Sequence, residues 1–226
     1  MSAPDRDPSH DGVAVLASGG LDSAVLAAEF LGEGRVVQPI YVRFGLAWEQ
    51  TEETHLRHFL DTLPGSGLRG LVALELPVAD TYGSHWSLSA DEVPDADTPD
   101  EAVYLPGRNL LLLAKSSIWC ALNGYPTVAL GTLKGNPFAD SSREFFGDVE
   151  SLVQTAVNHR LEIATPFAEL DKAQVLERGR HLQLEHTFSC IDPTAGVHCG
   201  RCNKCAERQR AFDEASIDDV TTYANR

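Results

Sequence analysis

The sequence predicts an α/β fold built on a doubly wound, mainly parallel sheet of five strands, with a small metal-binding lobe at the C-terminus. Short apolar, β-branched segments alternate along the chain with longer segments whose apolar residues recur at helical intervals. Such alternation is typical of parallel sheets, because each helix carries the chain back to the starting edge of the sheet. Four of the five cysteines lie within residues 190–205, which indicates the additional lobe.

Each element is predicted from its local composition. The segment 12–17 is apolar and β-branched, which suits a buried strand, and it ends at two glycines. The charged segment 48–63 carries apolar residues at helical spacing and stops at Pro64 and Gly65. The expected strands are 12–17, 35–42, 68–76, 127–132 and 160–164, and the expected helices are 21–31, 48–63, 109–123, 141–158, 171–181 and 206–215. Residues 80–102 follow neither period, and long irregular segments are often lids or binding loops.

Length and charge limit the organisation and the partners of the chain. Its 226 residues suffice for one sizeable core, so we expect an α/β domain over residues 12–185 and a lobe with a final helix over 186–226. The net charge of −15 opposes broad contact with a nucleic acid backbone, so no nucleic acid partner is expected.

The sequence also predicts where the protein resides. The most apolar stretch, 110–113, is interrupted by Lys115 well before the roughly 20 residues that a membrane-spanning helix needs. Residues 1–11 are polar and lack the features of a secretory signal. We therefore expect a disordered N-terminal tail on a cytoplasmic protein without membrane contact.

The turn after the first strand has the residues of an anion site. Ser-Gly-Gly-Leu-Asp-Ser, residues 18–23, leads directly from the strand into a helix, where free backbone N–H groups and glycines accommodate a phosphate. A Walker loop would need a following Gly-Lys-Ser/Thr, and a dinucleotide fingerprint would need a third glycine; both are absent. A simple glycine turn with a serine cap is the structural alternative.

The cysteine spacing indicates a structural metal. Four cysteines in the pattern C-x8-C-x2-C-x2-C suit tetrahedral zinc with no open coordination position. An iron–sulfur cluster or redox thiols are the alternatives, although the x3-Cys-Pro continuation of a ferredoxin sequence is missing. The expected zinc ligands are Cys190, Cys199, Cys202 and Cys205. Cys120 is expected in the core.

Together these motifs resemble a known family. Residues 18–23 resemble the PP-loop of ATP pyrophosphatases, which have an adenine nucleotide alpha hydrolase-like fold and cleave ATP between the α and β phosphates. In order along the chain, "YLPGRNLLLL", "TPFAELDKAQVLERG", "HTFSC" and "HCGRCNKCAERQRAF" are similar to the 7-cyano-7-deazaguanine synthase family over residues 13–212. The resemblance implies a carbon–nitrogen ligase of queuosine biosynthesis that acts as a homodimer on a 7-deazapurine carboxylate and ammonia.

The resemblance also implies the chemistry. The carboxylate of 7-carboxy-7-deazaguanine is adenylated, ammonia forms an amide, and a second ATP activates the amide oxygen for elimination to the nitrile, 7-cyano-7-deazaguanine. The implied cofactors are ATP, Mg²⁺ near Asp22 and structural zinc. Residues implied to surround ATP are Ala17, Ser18, Gly19, Gly20, Leu21, Asp22, Ser23, Ala24, Val25, Leu26 and Ala27.

Further site residues follow from the position of the other motifs. Asp22, Arg108 and Lys134 are the candidate catalytic residues, because arginine and lysine can hold phosphate or carboxylate oxygens. Residues after the fourth strand lie at the carboxyl edge of the sheet, where α/β proteins bind ligands. The candidate substrate contacts are Arg108, Asn109, Gly131, Asp140 and Arg143. The alternative for Arg108 is a surface cation, and for the loop after Gly131 a solvated loop.

Two segments depart from the family pattern. "RFGLAWEQTEE" lacks the family's histidine, and "GTLKGNPFADSSREFF", residues 131–146, lacks its tyrosines and cysteine. Three other functions therefore stay open: an enzyme that activates a related carboxylate and forms an amide with another amine, a non-catalytic ATP-binding regulator, and a tRNA-modifying enzyme. The net charge disfavours the last of these.

Overall fold

A computed structural model of the chain describes residues 11–225, so the tail predicted for residues 1–11 lies outside the described residues except for Asp11. Five parallel strands form one sheet in the order β3-β2-β1-β4-β5. The strands are β1 (Gly12–Leu16), β2 (Val36–Arg43), β3 (Val72–Glu75), β4 (Thr127–Ala129) and β5 (Glu162–Ala164). The predicted α/β class and five-stranded parallel sheet are confirmed.

Helices connect the strands and flank the sheet. They are α1 (Leu21–Gly32), α2 (Glu49–Thr62), α3 (Ala79–Tyr82), α4 (Trp86–Ser89), α5 (Arg108–Asn123), α6 (Arg143–Val157), α7 (Lys172–Gly179) and α8 (Asn203–Ala215). Asp171 begins α7 with a capping box, in which its side chain accepts from Gln174 N and the Gln174 side chain accepts from Asp171 N. Within residues 11–225 none of the helices is both long and apolar enough to cross a membrane.

The sheet separates two apolar layers because successive strand residues point to opposite faces. Val13 and Val15 of β1 pack with α1, α2 and α7, whereas Ala14 and Leu16 pack with α5 and α6. The four clustered cysteines belong to the second layer. The cysteine segment therefore shares its apolar packing with one face of the sheet.

Several predicted boundaries shift. The strand expected at 68–76 is regular only over Val72–Glu75, although Leu68 forms an isolated bridge with Val37. The last helix begins three residues earlier than expected, because Cys202 occupies its N-cap position. The segment predicted as irregular, 80–102, contains most of α3 and all of α4. Each of these helices has only four residues, which is too short to produce a helical period in the sequence.

Strand β4 also ends earlier than expected, at Ala129. Leu130 N still donates to Ala164 O at 3.0 Å, after which the chain turns across α1. A Cβ atom added at Gly131 would lie 2.9 Å from the Asp22 Cβ and 3.1 Å from the Asp22 carbonyl carbon. The turn after β4 thus packs directly on the first turn of α1, an approach that only glycine permits.

Candidate active site and metal centre

Two adjoining cavities open where the strand order reverses, between the carboxyl ends of β1 and β4. This switch point is the usual ligand-binding position in open α/β sheets. The larger cavity has a volume of about 400 Å³ and the smaller one about 190 Å³. Residues that line both are Ser18, Asp22, Glu52, Arg108, Gly131 and Asn136. The common wall therefore joins the glycine turn, α2, α5 and the loop after β4.

The glycine turn presents the N-terminus of α1 to this common wall. Gly19 has φ +79, and a Cβ atom there would meet the Glu52 carbonyl oxygen at 3.2 Å. Gly20 is the N-cap residue and provides no side-chain cap, so the first N–H groups of α1 have neither a helical acceptor nor a capping side chain. Phe188 N fixes the turn by donating to Gly19 O at 2.6 Å. This arrangement suits a phosphate group.

Asp22 lies at the same helix end, paired with a distant lysine. Lys172 Nζ donates to Asp22 Oδ2 at 2.6 Å, while Asp22 Oδ1 is buried without a hydrogen-bond partner in the structure. Burial raises the pKa of Asp22 above its usual value, although the Lys172 ammonium opposes this shift. An unpartnered carboxylate oxygen beside an anion site fits a Mg²⁺ ligand, because Mg²⁺ prefers oxygen donors and retains phosphate and water ligands.

The pairing of Asp22 extends into a charged chain that sequence reasoning missed. Lys172 Nζ lies 3.1 Å from Glu207 Oε1, and Lys204 Nζ lies 2.6 Å from Glu207 Oε2. Burial would raise the pKa of Glu207, but the two ammonium groups lower it to about 2. Both lysines line the larger cavity. The only local signal for Lys172 was its position at the start of the helix predicted over residues 171–181.

Glu52 of α2 is a second buried carboxyl group that the sequence analysis did not identify. The Tyr41 hydroxyl donates to Glu52 Oε2 at 2.6 Å. Burial raises the pKa of Glu52 to about 7, although the Tyr41 hydrogen bond and the Arg108 charge oppose the shift. The wall common to both cavities therefore carries a carboxyl group that titrates near neutral pH.

The structure places some of the other predicted site residues at the cavities and others away from them. Arg108 starts α5, lines both cavities, and has a buried Nε without a hydrogen-bond partner. Asn109 lines the smaller cavity, but its N–H and Nδ2 donate to Asp140 Oδ2 and Asp140 O, each at 3.0 Å. Lys134 is exposed at the larger cavity. Arg143 is exposed at the start of α6 and lines neither cavity.

An indole pair forms part of the wall of the larger cavity. The rings of Trp48 and Trp86 stack with centroids 5.7 Å apart and planes inclined by 16°. Val103 and Leu105 lie on the same lining. The larger cavity thus combines aromatic surface with the lysines of the charged chain.

The four predicted metal ligands meet in one buried cluster. The sulfur atoms of Cys190, Cys199, Cys202 and Cys205 lie within 4.8 Å of one another. The separations are 3.8 Å between the Cys190 and Cys202 sulfurs and 3.9 Å between those of Cys199 and Cys205. Tetrahedral zinc with bonds of about 2.3 Å places its sulfur ligands about 3.8 Å apart.

Backbone groups also favour thiolates at this cluster. Asp192 N and Cys199 N each donate to Cys190 Sγ at 3.3 Å, and Cys202 N donates to Cys199 Sγ at 3.3 Å. Such N–H···S bonds stabilise the negative sulfur ligands of a metal. The cluster therefore fits zinc, and burial of all four thiols suits a structural site. Cys120 is buried elsewhere in the core, as expected.

A family profile described as "Queuosine biosynthesis protein QueC" matches residues 12–216. The chain belongs to the QueC family. It is 30% identical to the 7-cyano-7-deazaguanine synthase of Syntrophobacter fumaroxidans, with 92% of this chain and 94% of that protein covered. Identity to the corresponding synthase of Halobacterium salinarum is 33%, with coverage of 94% and 95%.

One solved structure has a fold similar to that of this chain. The chain is similar to a 4-thiouridine synthetase, solved in complex with RNA and with bound ATP, at a TM-score of 0.51 and 16% identity. The match covers 91% of this chain and 50% of that protein. At this identity the similarity concerns the fold alone.

Replacing Glu52 tests its raised pKa. Between the unfolded pKa of 4.5 and the folded pKa of about 7, the folded state binds more protons, so stability falls as pH rises through this range. Glu52→Gln removes that loss. We expect the difference in unfolding free energy between Glu52→Gln and the wild type to shift in favour of the variant by about 1–3 kcal/mol from pH 5 to pH 8. Denaturant titration at each pH measures this difference.

The neighbouring Glu53 provides a control, because its pKa is shifted in the opposite direction. Hydrogen bonds from Arg43 lower the pKa of Glu53, so its carboxylate is ionised in both states above pH 5. Glu53→Gln should show no relative gain between pH 5 and pH 8. Parallel pH dependences of Glu52→Gln and the wild type would contradict the raised pKa.

Replacing one cluster cysteine tests the metal site. We expect about one zinc per purified wild-type chain by elemental analysis. Cys199→Ser should lose this zinc and lower the Tm by at least roughly 10 °C, because structural zinc contributes directly to folding. Cys120→Ser, which alters a buried thiol outside the cluster, should retain the metal. Iron with a visible absorption band, or a metal-free wild type, would overturn the zinc assignment.

Proposed function

We propose that the chain is a carbon–nitrogen ligase that adenylates 7-carboxy-7-deazaguanine with ATP and combines it with ammonia to form 7-cyano-7-deazaguanine. Its QueC family membership and the names of its relatives support an enzyme of queuosine biosynthesis. The observation that carries the proposal is the uncapped, glycine-led start of α1 at the switch point of the sheet. Such a helix end binds phosphate groups.

The smaller cavity suits the adenine of ATP. Its walls include Leu16 and Ala17 after β1, Ile40 and Val42 of β2, and Leu130 after β4, which offer apolar surface at the carboxyl edge of the sheet. An adenine in this cavity directs its phosphates toward the common wall at Ser18–Gly20 and the N–H groups of α1. Residues from Ala17 to Ala27 would thus contact or support the nucleotide.

The charged groups around the phosphates have distinct proposed roles. Asp22 Oδ1 would hold Mg²⁺, which when bound neutralises the triphosphate. Lys172 and Arg108 would stabilise the charge that develops as the carboxylate oxygen displaces pyrophosphate, because fixed cations need no reorganisation during the reaction. Exposed Lys134 would reach the leaving pyrophosphate from the loop after β4. Little covalent work falls to side chains, so positioning dominates.

Adenylation makes the later steps possible. A carboxylate resists attack by ammonia because its negative charge is delocalised and its oxygen is a poor leaving group, whereas the adenylate releases AMP. Ammonia then forms the amide, and a second adenylation of the amide oxygen permits its elimination to the nitrile. The two carboxylate oxygens leave in two molecules of AMP.

We propose residues 12–185 as the ATP-binding unit and residues 186–226 as a zinc-stabilised lobe. The lobe contributes directly to the site, because Phe188 N donates to Gly19 O and Glu207 pairs with Lys172. Zinc would act at a distance from the chemistry by keeping the segment around Phe188 in place. We also propose that the protein works in the cytoplasm on small molecules.

The loop after β4 favours a second candidate substrate. Asp140 is occupied with the start of α5, and Arg143 lies outside both cavities, so neither is placed to recognise a base. The second candidate is therefore a related heteroaromatic carboxylate that is coupled to another amine and released as an amide. Adenylation is common to both candidates.

A product assay separates these functions. Incubation of the protein with 7-carboxy-7-deazaguanine, ATP, Mg²⁺ and ammonium should yield the nitrile, AMP and pyrophosphate by mass spectrometry. Asp22→Asn should lower AMP formation at least about 100-fold, because it removes the carboxylate proposed to hold Mg²⁺ at the reacting phosphates. Asp148→Asn, an exposed acid of α6, should keep wild-type rates.

The other outcomes are equally informative. Amide without nitrile would support the second candidate. ATP binding without AMP release for any carboxylate would identify a non-catalytic nucleotide-binding protein and contradict both.

We also propose that the protein is a homodimer, in line with its family resemblance. Large apolar side chains are exposed on the neighbouring helices α5 and α6, including Ile118 at 49%, Leu122 at 81% and Leu152 at 62%. Ile118 and Leu122 are four residues apart and lie on one face of α5. Covering this surface against a second copy would remove it from water.

Light scattering during size-exclusion chromatography tests the dimer. The wild type should elute at twice the mass of one chain, and Ile118→Glu with Leu122→Glu should elute as a monomer, because two buried charges oppose association. Glu144→Gln, an exposed substitution at the start of α6, should leave the mass unchanged. A monomeric wild type would contradict the proposal.

A further inference from the structure

The indole pair of Trp48 and Trp86 is held firmly although it lines an open cavity. Trp48 is 6% exposed, and Trp86 retains part of its surface. Ala47 N donates to Ser87 O at 2.9 Å, which joins the residues beside the two tryptophans. His85 caps α4 by accepting from Ser87 N. The indole groups that line the cavity are thus held in place before a ligand arrives.

The two cavities are lined by side chains of different chemical character. The indole pair, Lys134 and Lys172 line only the larger cavity, whereas the apolar strand-end residues assigned above to adenine line only the smaller one. The glycine turn and Arg108 lie on the wall between them. A molecule in the larger cavity can therefore rest on aromatic surface and direct an anionic group toward the α-phosphate of ATP.

We propose that the indole pair is the recognition surface for the acceptor, a planar heteroaromatic carboxylate whose ring stacks on it while its carboxylate meets the wall common to both cavities. Offset stacking of flat rings adds attraction beyond the area that is buried, and it tolerates different ring substituents. The proposal rests on the function proposed above and names the side chains that select its second substrate. It makes Trp86, which lies outside the glycine turn and the cysteine cluster, a specificity-determining residue.

Tryptophan fluorescence measures this contact without turnover. The chain has three tryptophans, and Trp119 lies outside both cavities beside Tyr125. In Trp119→Phe, emission comes from the indole pair alone. Titration with 7-carboxy-7-deazaguanine, without ATP, should quench this emission saturably, with N-acetyltryptophanamide as the correction for absorbed light. Cyclohexanecarboxylate, which offers the same charge without a flat ring, should cause no saturable change.

Substitutions then locate the contact. Trp86→Leu should raise the KM for the acid roughly tenfold and leave the KM for ATP within about twofold, because stacking on one aromatic side chain has this magnitude. Trp86→Phe should restore most of the affinity, since it keeps a flat ring. Trp119→Leu should leave both constants unchanged. Equal KM values for the acid in the wild type and Trp86→Leu would overturn the proposal.

The readouts separate this proposal from the proposed function. Turnover of the acid with no quenching and no dependence on Trp86 would refute stacking and leave the function intact. Saturable quenching that Trp86→Leu abolishes, without AMP formation, would support the recognition surface and refute the reaction. Neither quenching nor turnover would refute both.

Discussion

The candidate site depends on the close packing of Gly131 against the first turn of α1. Because residue 131 has no side chain, the loop after β4 can cross within contact distance of Asp22. This contact lies at the crevice where the strand order reverses and forms part of the wall that both cavities share. A larger residue would displace either the loop or the start of α1, and with it the N–H groups that suit a phosphate.

The C-terminal segment that carries the cysteines contacts the candidate site directly. Phe188 holds the glycine turn by a backbone hydrogen bond, and Glu207 with Lys172 sets the charge around Asp22. Both contacts come from the region that the four cysteines organise. A metal bound by these cysteines would therefore act on the site only by positioning these contacts. The lysines Lys134, Lys172 and Lys204 line the larger cavity although the net charge of the chain is −15.

Local patterns were sufficient to predict the sheet, the glycine turn and the cysteine cluster, because each depends on neighbouring residues. The contact between Lys172 and Asp22 joins residues 150 apart in the sequence, and no local period indicates it. Glu52 and Trp86 line the cavity because of the way their helices face it, and the sequence does not show which face that is. Asp140 and Arg143 were predicted as substrate contacts from their position after β4. Their placement by the short 3₁₀ turn Ala139–Ser141 and the Ser142 cap of α6 could not be foreseen.

Transfer of carboxylate oxygen to AMP tests the central claim most directly. The protein would be incubated with 7-carboxy-7-deazaguanine labelled with ¹⁸O in both carboxylate oxygens, ATP, Mg²⁺ and ammonium, and the AMP analysed by mass spectrometry. The account predicts one ¹⁸O in each AMP and two labelled AMP molecules per nitrile, because the carboxylate oxygen attacks the α-phosphate held at the start of α1. Formation of ADP, or of AMP without the label, would contradict adenylation at this site.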